Sequence, residues 1–279
     1  MYKIEEKEVL APSIKKIKVK APLIAKKTQP GNFIILRIGE KGERIPLTVA
    51  DYEPETGLIT IIFQEVGYTT KKLGTLEVGD FIKDIVGPLG NSIQVEGYDR
   101  VVCIGGGSGT ALLYPKVKAL QEEGTEVITI TGCRTKELII LEEELDQYSD
   151  ELYICTDDGS YCHQGFVTDI LEDLLNQDEN IDLVIAIGPV PMMAAVADMT
   201  EPYQIKTIVS LNSLMIDGTG MCGGCRVTVD GETKFTCVDG PAFDAHKVDF
   251  KVLNNRLSYY DDEEDVCRLD EEVESHAEK

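Results

Sequence analysis

The chain has 279 residues, 43% hydrophobic and 28% charged, a globular composition that excludes wholesale disorder and collagen-like repeats. Its formal net charge of −23 argues against nucleic acid as a partner, because neutralising phosphates needs a basic face. The longest apolar stretch, 181–197, is interrupted by Asp182, Pro189 and Pro191, and the start Met1-Tyr2-Lys3-Ile4-Glu5-Glu6 is charged, so the expectation is a cytoplasmic chain with neither membrane span nor signal peptide.

Residues 1–98 read as short strands, over 2–9, 13–19, 32–38, 45–52, 58–64 and 80–86, the last closed by Gly87-Pro88-Leu89-Gly90. Many short strands with glycine and proline punctuation predict an antiparallel barrel or sandwich. From Asp99 the pattern changes. Strands over 100–104, 126–131, 151–156, 183–187 and 206–211 alternate with helices over 110–123, 136–147, 167–176 and 192–199, which predicts a doubly wound parallel α/β domain. A strand-turn-strand is expected over 227–238. Boundaries fall at 1–98, 99–212, 213–259 and 260–279. The last segment holds ten Asp and Glu against Arg268 and Lys279 and reads as a solvated acidic tail.

Gly105-Gly106-Gly107-Ser108-Gly109-Thr110 runs from an apolar strand into a helix. Such glycines let backbone approach a pyrophosphate, and the helix start supplies free N–H groups and positive dipole; the plain alternative is a tight strand-to-helix turn. Thr110 stands where the third glycine of the usual dinucleotide fingerprint would fall, and the second strand ends Gly132-Cys133-Arg134 with no carboxylate for a ribose. Arg134 is open between meeting a 2′-phosphate and pointing to solvent. The loops at Asp157-Asp158-Gly159 and Gly188-Pro189 follow later strands, so a parallel sheet places three glycine turns on one edge.

Of eight cysteines, Cys103, Cys133, Cys155 and Cys162 are scattered and read as small buried hydrophobes. Cys222, Cys225 and Cys237 cluster in a glycine-rich segment at C-x2-C-x11-C spacing, and four residues separate Asp217 from Cys222. Asp-x4-Cys-x2-Cys follows the plant-type two-iron spacing with Asp in the first slot, a harder ligand that iron accepts. The reading is a [2Fe–2S] cluster on Asp217, Cys222, Cys225 and Cys237. Two alternatives stay open: zinc on the three thiolates with His246 or Asp217, or a cluster completed by Cys267 with Asp217 only a turn residue.

The order of parts resembles the ferredoxin–NADP reductase superfamily. Its flavin motif, in the Arg-x-Pro-Leu-Ser/Thr form, falls on Arg44-Ile45-Pro46-Leu47-Thr48, and its next flavin segment on Gln64-Glu65-Val66-Gly67-Tyr68-Thr69-Thr70. The two-iron loop narrows the resemblance to electron-transfer subunits of dihydroorotate dehydrogenase and relatives. Asp-Gly-Thr-Gly-Met-Cys-Gly-Gly-Cys-Arg at 217–226 is similar to small subunits of electron-bifurcating NADH-dependent reduced ferredoxin:NADP oxidoreductases. The resemblance covers residues 1 to about 259 and leaves out the tail.

It implies an FAD-binding barrel, an NAD-binding α/β domain and a small C-terminal [2Fe–2S] subdomain. FAD falls to Arg44, Pro46, Leu47, Thr48 (near flavin N5), Gln64, Gly67 and Thr70. NAD(H) falls to Gly105, Gly106, Gly107, Ser108, Gly109, Thr110, Asp157, Gly188 and Pro189. The implied partner is a larger flavoprotein of glutamate-synthase small-subunit type, carrying four-iron clusters and an NADP site, with ferredoxin engaged only through the complex. The competing readings are an electron-transfer subunit of NAD-dependent dihydroorotate dehydrogenase and a zinc-stabilised nucleotide-binding module without redox turnover.

Overall fold

The computed structural model describes residues 1–40, 42–177 and 180–260, so the acidic tail with Cys267 and His276 lies outside the described residues. The first third is β1 (Tyr2–Ala11), β2 (Ile14–Lys20), a helical turn α1 (Pro22–Ala25), β3 (Phe33–Arg37), β4 (Ile45–Glu53), β5 (Leu58–Gln64), α2 (Tyr68–Thr75), β6 (Phe81–Ile82) and β7 (Asp84–Leu89). Its strands pair antiparallel in the order β6-β1-β2-β5-β4-β3-β7. Because β6 and β7 follow each other in the chain yet occupy opposite ends of that order, the sheet curls into a nearly closed barrel. Strand alternation puts Ile17, Val19, Ile34, Leu36, Val49, Ile59, Ile61 and Phe63 inside it.

The second sheet comprises β8 (Arg100–Gly106), β9 (Glu126–Cys133), β10 (Glu151–Thr156), β11 (His163–Gln164), β12 (Leu183–Ile187) and β13 (Lys206–Ser210), with helices α3 (Gly109–Glu122), α4 (Glu142–Gln147), α5 (Val167–Asn176) and α6 (Val190–Thr200). Its order, β11-β10-β9-β8-β12-β13 with one further strand at the end, is that of a doubly wound parallel sheet. The apolar spacing of Val167, Ile170, Leu171, Leu174 and Leu175 makes α5 amphipathic, and Asp169 caps it by accepting from the Phe166 N–H at 2.8 Å.

The chain then forms β14 (Arg226–Val229), β15 (Glu232–Phe235), the short α7 (Thr236–Asp239), β16 (Ala242–Asp244) and α8 (Phe250–Leu257). β16 joins the parallel sheet antiparallel to β13, pairing Ile208 with Asp244. The cysteine segment is therefore anchored in one sheet while its loop reaches the other. Barrel and α/β domain share a core: Ala11, Ile14, Ala50 and Ile62 face outwards from the barrel onto α3 and the layer behind it. Into this seam α3 carries Lys116, only 1% exposed, whose Nζ donates to the Leu112 carbonyl at 2.8 Å. Nearby, Lys118 pairs with Asp51 of β4 at 3.1 Å.

Three expectations need correction. The helix predicted over 136–147 is a 3-10 turn, Lys136–Leu138, and a separate α4; between them Ile140 and Leu141 turn into the core, Leu141 at φ +58°. The strand predicted through 238 ends at Phe235, so Cys237 sits on a helical turn. Of the scattered cysteines Cys103 and Cys155 are buried, but Cys133 is half-buried and Cys162 exposed. Among the described residues no helix is long and apolar enough to cross a membrane.

Candidate functional site

The cysteine segment seats on the outer face of β3. Alternation sends Ile34 and Leu36 into the barrel and leaves Phe33 and Ile35 outside, where they pack with Met215, Cys225 and Cys237, and with Leu89 and Phe235 at the margin. Gly218 makes this approach possible: a Cβ there would stand 2.8 Å from Ile35 Cγ1 and 2.9 Å from Leu89 Cδ1. Asn91 fastens the other flank, its N–H donating to the Gly240 carbonyl at 2.7 Å and its Nδ2 to the Val238 carbonyl at 3.1 Å.

Within the segment, the Cys225 and Cys237 sulfurs stand 3.2 Å apart as free thiols. Cys237 reaches this position because α7 folds back on Cys225: Thr236 Oγ1 donates to the Cys225 carbonyl at 3.0 Å, and Asp239 accepts from the Phe235 N–H at 2.6 Å. Cys222 is exposed, its Sγ accepting from the Gly224 N–H at 3.4 Å. Asp217 closes the loop, accepting from the Thr219 N–H at 2.6 Å and the Cys222 N–H at 2.8 Å. These N–H donors, Thr219 first, hold its carboxyl below the usual carboxylate range. Among the described residues no three His, Cys, Asp or Glu side chains gather round one metal position; the two tight links are Cys225 with Cys237 and Asp217 with Cys222.

The donor chemistry nonetheless suits a soft metal centre. Burial, and then its Cys225 neighbour, push the Cys237 thiol up to about 12, so the thiolate forms only against a cation. Three sulfurs in a glycine-rich loop, with backbone N–H groups turned to sulfur, fit an iron–sulfur centre. His246, the alternative zinc ligand, is engaged elsewhere: its Nε2 meets Thr200 Oγ1 at 2.9 Å, at the end of α6.

Next to β3, β4 presents the predicted flavin residues. Pro46 pairs with Ile35 and Thr48 with Phe33, so both share the outer face that receives the cysteine loop. Leu47 pairs with Ile34 and turns into the barrel core, leaving its backbone rather than its side chain for a ligand. Arg44 is exposed just before β4 and lines a cavity of about 300 Å³ with Ile35, Arg37, Lys83 and Val86. Gln64 ends β5; Gly67 and Thr70 open α2, where Thr70 Oγ1 accepts from the Val66 N–H at 3.0 Å and the Gly67 N–H at 3.1 Å. Thr70 thus shapes the helix start, and the exposed first turn offers its own N–H groups.

The third group lies at the carboxyl edge of the parallel sheet, where strand order reverses between β8 and β12. The glycines here serve mainly to bring two loops together. A Cβ on Gly109 would stand 2.4 Å from the Ile187 carbonyl oxygen, and one on Gly106 2.5 Å from Met192 Sδ. One on Gly188 would stand 2.7 Å from Met192 Cε. Gly105, Gly106, Gly109 and Thr110 are buried, whereas Gly107, Ser108, Gly188, Pro189 and Asp157 reach solvent. Gly107 has φ +54° with open space beyond it, and its own N–H is committed to the Gly132 carbonyl at 2.8 Å. Backbone bonds from the Asp157 N–H to Cys133 and from the Asp158 N–H to Arg134 tie the ends of β9 and β10 together.

Comparison with known proteins agrees with this arrangement. Residues 103–198 match an oxidoreductase NAD-binding domain, and residues 212–249 match the iron–sulfur cluster binding domain of dihydroorotate dehydrogenase B. An uncharacterized protein in the adh 3′ region of Clostridium beijerinckii is 46% identical, covering 99% of this chain and 97% of its own. A dihydroorotate dehydrogenase B (NAD(+)) electron transfer subunit homolog of Thermotoga maritima is 44% identical, covering 95% and 94%. A solved structure of NADH-dependent reduced ferredoxin-NADP oxidoreductase, described for flavin-based electron bifurcation, superposes with a TM-score of 0.91 at 42% identity, covering 96% of each chain. The fold is that of ferredoxin reductases, and its cofactors are FAD, a [2Fe–2S] cluster and NAD(H).

Proposed function

Because this chain belongs to the family of dihydroorotate dehydrogenase B electron-transfer subunits, we propose that it works as the NAD(H)-facing half of an electron-bifurcating NADH- and ferredoxin-linked NADP transhydrogenase. It exchanges hydride with NAD(H) and passes single electrons to a partner flavoprotein. The observation that carries this reading is the shared outer face of β3 and β4, where Thr48 and Pro46 lie beside Phe33 and Ile35 and these in turn pack on Cys225 and Cys237. Nicotinamide chemistry moves two electrons as hydride, an iron–sulfur centre carries one, and a flavin converts between them.

The residues divide that work. Arg44 meets the flavin diphosphate as a charged donor. Thr48 orients the ring from the β4 face, and Gln64, Gly67 and the α2 start complete the pocket. Gly107, Ser108, Asp157, Gly188 and Pro189 form the rim for NAD(H), with Gly105, Gly106, Gly109 and Thr110 holding that rim together from beneath. Asp217, Cys222, Cys225 and Cys237 hold the cluster. The division at 1–98, 99–212, 213–259 and 260–279 belongs to the same proposal. The partner is a larger flavoprotein with four-iron clusters and an NADP site, suggested by the bifurcating oxidoreductase that this chain resembles.

Anaerobic titration of the purified chain with NADH, followed by visible absorption, tests the assignment. Bleaching of both flavin and iron–sulfur bands is expected. A flavoprotein whose spectrum ignores NADH would move the nicotinamide site off this chain, and a colourless protein would defeat the redox reading. The names of the Thermotoga maritima relative and of other family members favour a second reading, delivery of electrons from a dihydroorotate-oxidising partner. Co-purification separates the two: an NADP-reducing partner supports the first, a dihydroorotate-oxidising one the second.

A further inference from the structure

The turn Cys222-Gly223-Gly224-Cys225 is held from outside by two arginines on different elements. Arg226 Nη1, at the start of β14, donates to the Gly223 carbonyl at 3.0 Å, and Arg256 Nη2, on α8, donates to the Gly224 carbonyl at 3.1 Å. Gly223 and Gly224 are the two residues between the cysteines. Among the described residues neither guanidinium pairs with a carboxylate, although the chain carries 50 acidic against 27 basic residues. Two arginines that could each find an acid are spent on backbone oxygens of one turn.

The geometry of the peptide unit explains what this does. A trans peptide sets its C=O and N–H on opposite sides of one rigid plane. The Gly223 carbonyl shares its plane with the Gly224 N–H, which points to Cys222 Sγ at 3.4 Å. The Gly224 carbonyl shares its plane with the Cys225 N–H. Drawing each carbonyl outwards to a guanidinium therefore turns each N–H away from the arginine, towards the inside of the turn. Gly223 follows because it sits at φ +69°, the left-handed conformation that a residue with a side chain adopts only under strain.

We infer that Arg226 and Arg256 are positioning residues of the cysteine turn, which orient its two peptide N–H groups and place two positive charges beside it, so raising the reduction potential of the centre the turn holds. This rests on the reading of the loop as a [2Fe–2S] site. One-electron reduction adds negative charge at sulfur and iron, and N–H donors and nearby cations stabilise the reduced form. Arg256 is half-buried and Arg226 exposed, so solvent screens Arg226 more and Arg256 has the larger effect.

The test uses the full chain purified anaerobically, as wild type, Arg226→Met, Arg256→Met and Arg256→Lys, with bound FAD as the check on folding. The readouts are iron and sulfide content, the electron paramagnetic resonance spectrum after dithionite reduction, and a dye-mediated redox titration. Arg256→Met is expected to shift the oxidised-to-reduced ratio at fixed potential about tenfold towards oxidised, equivalent to about 59 mV for one electron, with altered g values. Arg226→Met shifts it the same way by less, and Arg256→Lys keeps most of the wild-type potential. Methionine variants loaded with cluster at the wild-type potential and spectrum would overturn the inference. Where Arg256→Met keeps FAD but loses iron, Arg256→Lys decides: a loaded lysine variant supports the assignment and an empty one overturns it. A wild-type chain lacking iron and sulfide would instead defeat the reading of the loop itself.

Discussion

Gly109→Ala tests whether the two loops of the nicotinamide rim are held together as described. The new methyl would stand 2.4 Å from the Ile187 carbonyl oxygen, 2.8 Å from its carbon and 2.9 Å from Gly188 Cα. All three are backbone atoms, so no rotamer change relieves the contact. Ordinary C···O approaches are about 3.3–3.6 Å, so the loops must part by roughly 1 Å. Overpacking of this kind costs about 1–3 kcal/mol, and at about 2–4 °C per kcal/mol for a chain of this size the melting temperature falls roughly 2–12 °C. A displacement of about 1 Å at a binding crevice also slows reaction by on the order of a hundredfold, read here as the rate of flavin reduction by NADH. Gly107→Ala is the comparison: nothing lies within 4 Å of its Cβ, and its cost is confined to the left-handed backbone at φ +54°, about 1–2 kcal/mol. Thermal melting and stopped-flow reduction by NADH would be measured on both. If Gly109→Ala melts and reduces like wild type while Gly107→Ala does not, the close approach of the two loops is not what the glycine serves.

Three further outcomes follow from residues already described. Burial pulls the Lys116 amine down to about 8 from its ordinary 10.5, so between those values the unfolded chain binds more protons than the folded one and stability rises with pH, by up to about 3 kcal/mol at 1.36 kcal/mol per pH unit. Lys116→Met removes that rise; urea profiles of the two proteins that stay parallel from pH 8 to 10.5 would contradict it. Arg44→Ala deletes a charged hydrogen bond worth about 1.5–3 kcal/mol, so FAD affinity falls roughly tenfold to a hundredfold, and retention of FAD at normal affinity would show that Arg44 does not meet the diphosphate. Asp217→Cys changes the resonance spectrum and potential of the cluster; an unchanged spectrum would leave Asp217 only the role of accepting the Thr219 and Cys222 N–H groups.

Where local pattern and tertiary packing agree, the sequence was a sufficient guide. The helix expected over 167–176 spans those residues because its apolar stripe faces the sheet and Asp169 caps it. The expectation of one helix over 136–147 fails because the chain leaves the helical path between its two ends, Ile139 extended and Leu141 left-handed, to bury Ile140 and Leu141. Burial of two large apolar side chains outweighs the few tenths of a kcal/mol per residue that helix propensity offers. Cys237 was expected on a strand for a similar reason: Glu232–Phe235 does alternate, but the side chains of Thr236 and Asp239 bond backbone at Cys225 and Phe235 and start a helical turn. The spacing of Asp217, Cys222, Cys225 and Cys237 was legible; Arg256 was not, since nothing local ties α8 to a turn thirty-two residues earlier.

The outer face of β3 has a consequence for timing. Thr48, Phe33 and Leu89 lie in register on β4, β3 and β7, and the cysteine segment rests on the last two. Neighbouring strands stand about 4.8 Å apart, so Thr48 and Leu89 are separated by roughly 10 Å. On the proposed assignment of flavin to β4 and of the cluster to the cysteine loop, electrons cross this short span, so a substitution that displaces Phe33 or Leu89 slows their transfer while leaving the ligands of both cofactors in place.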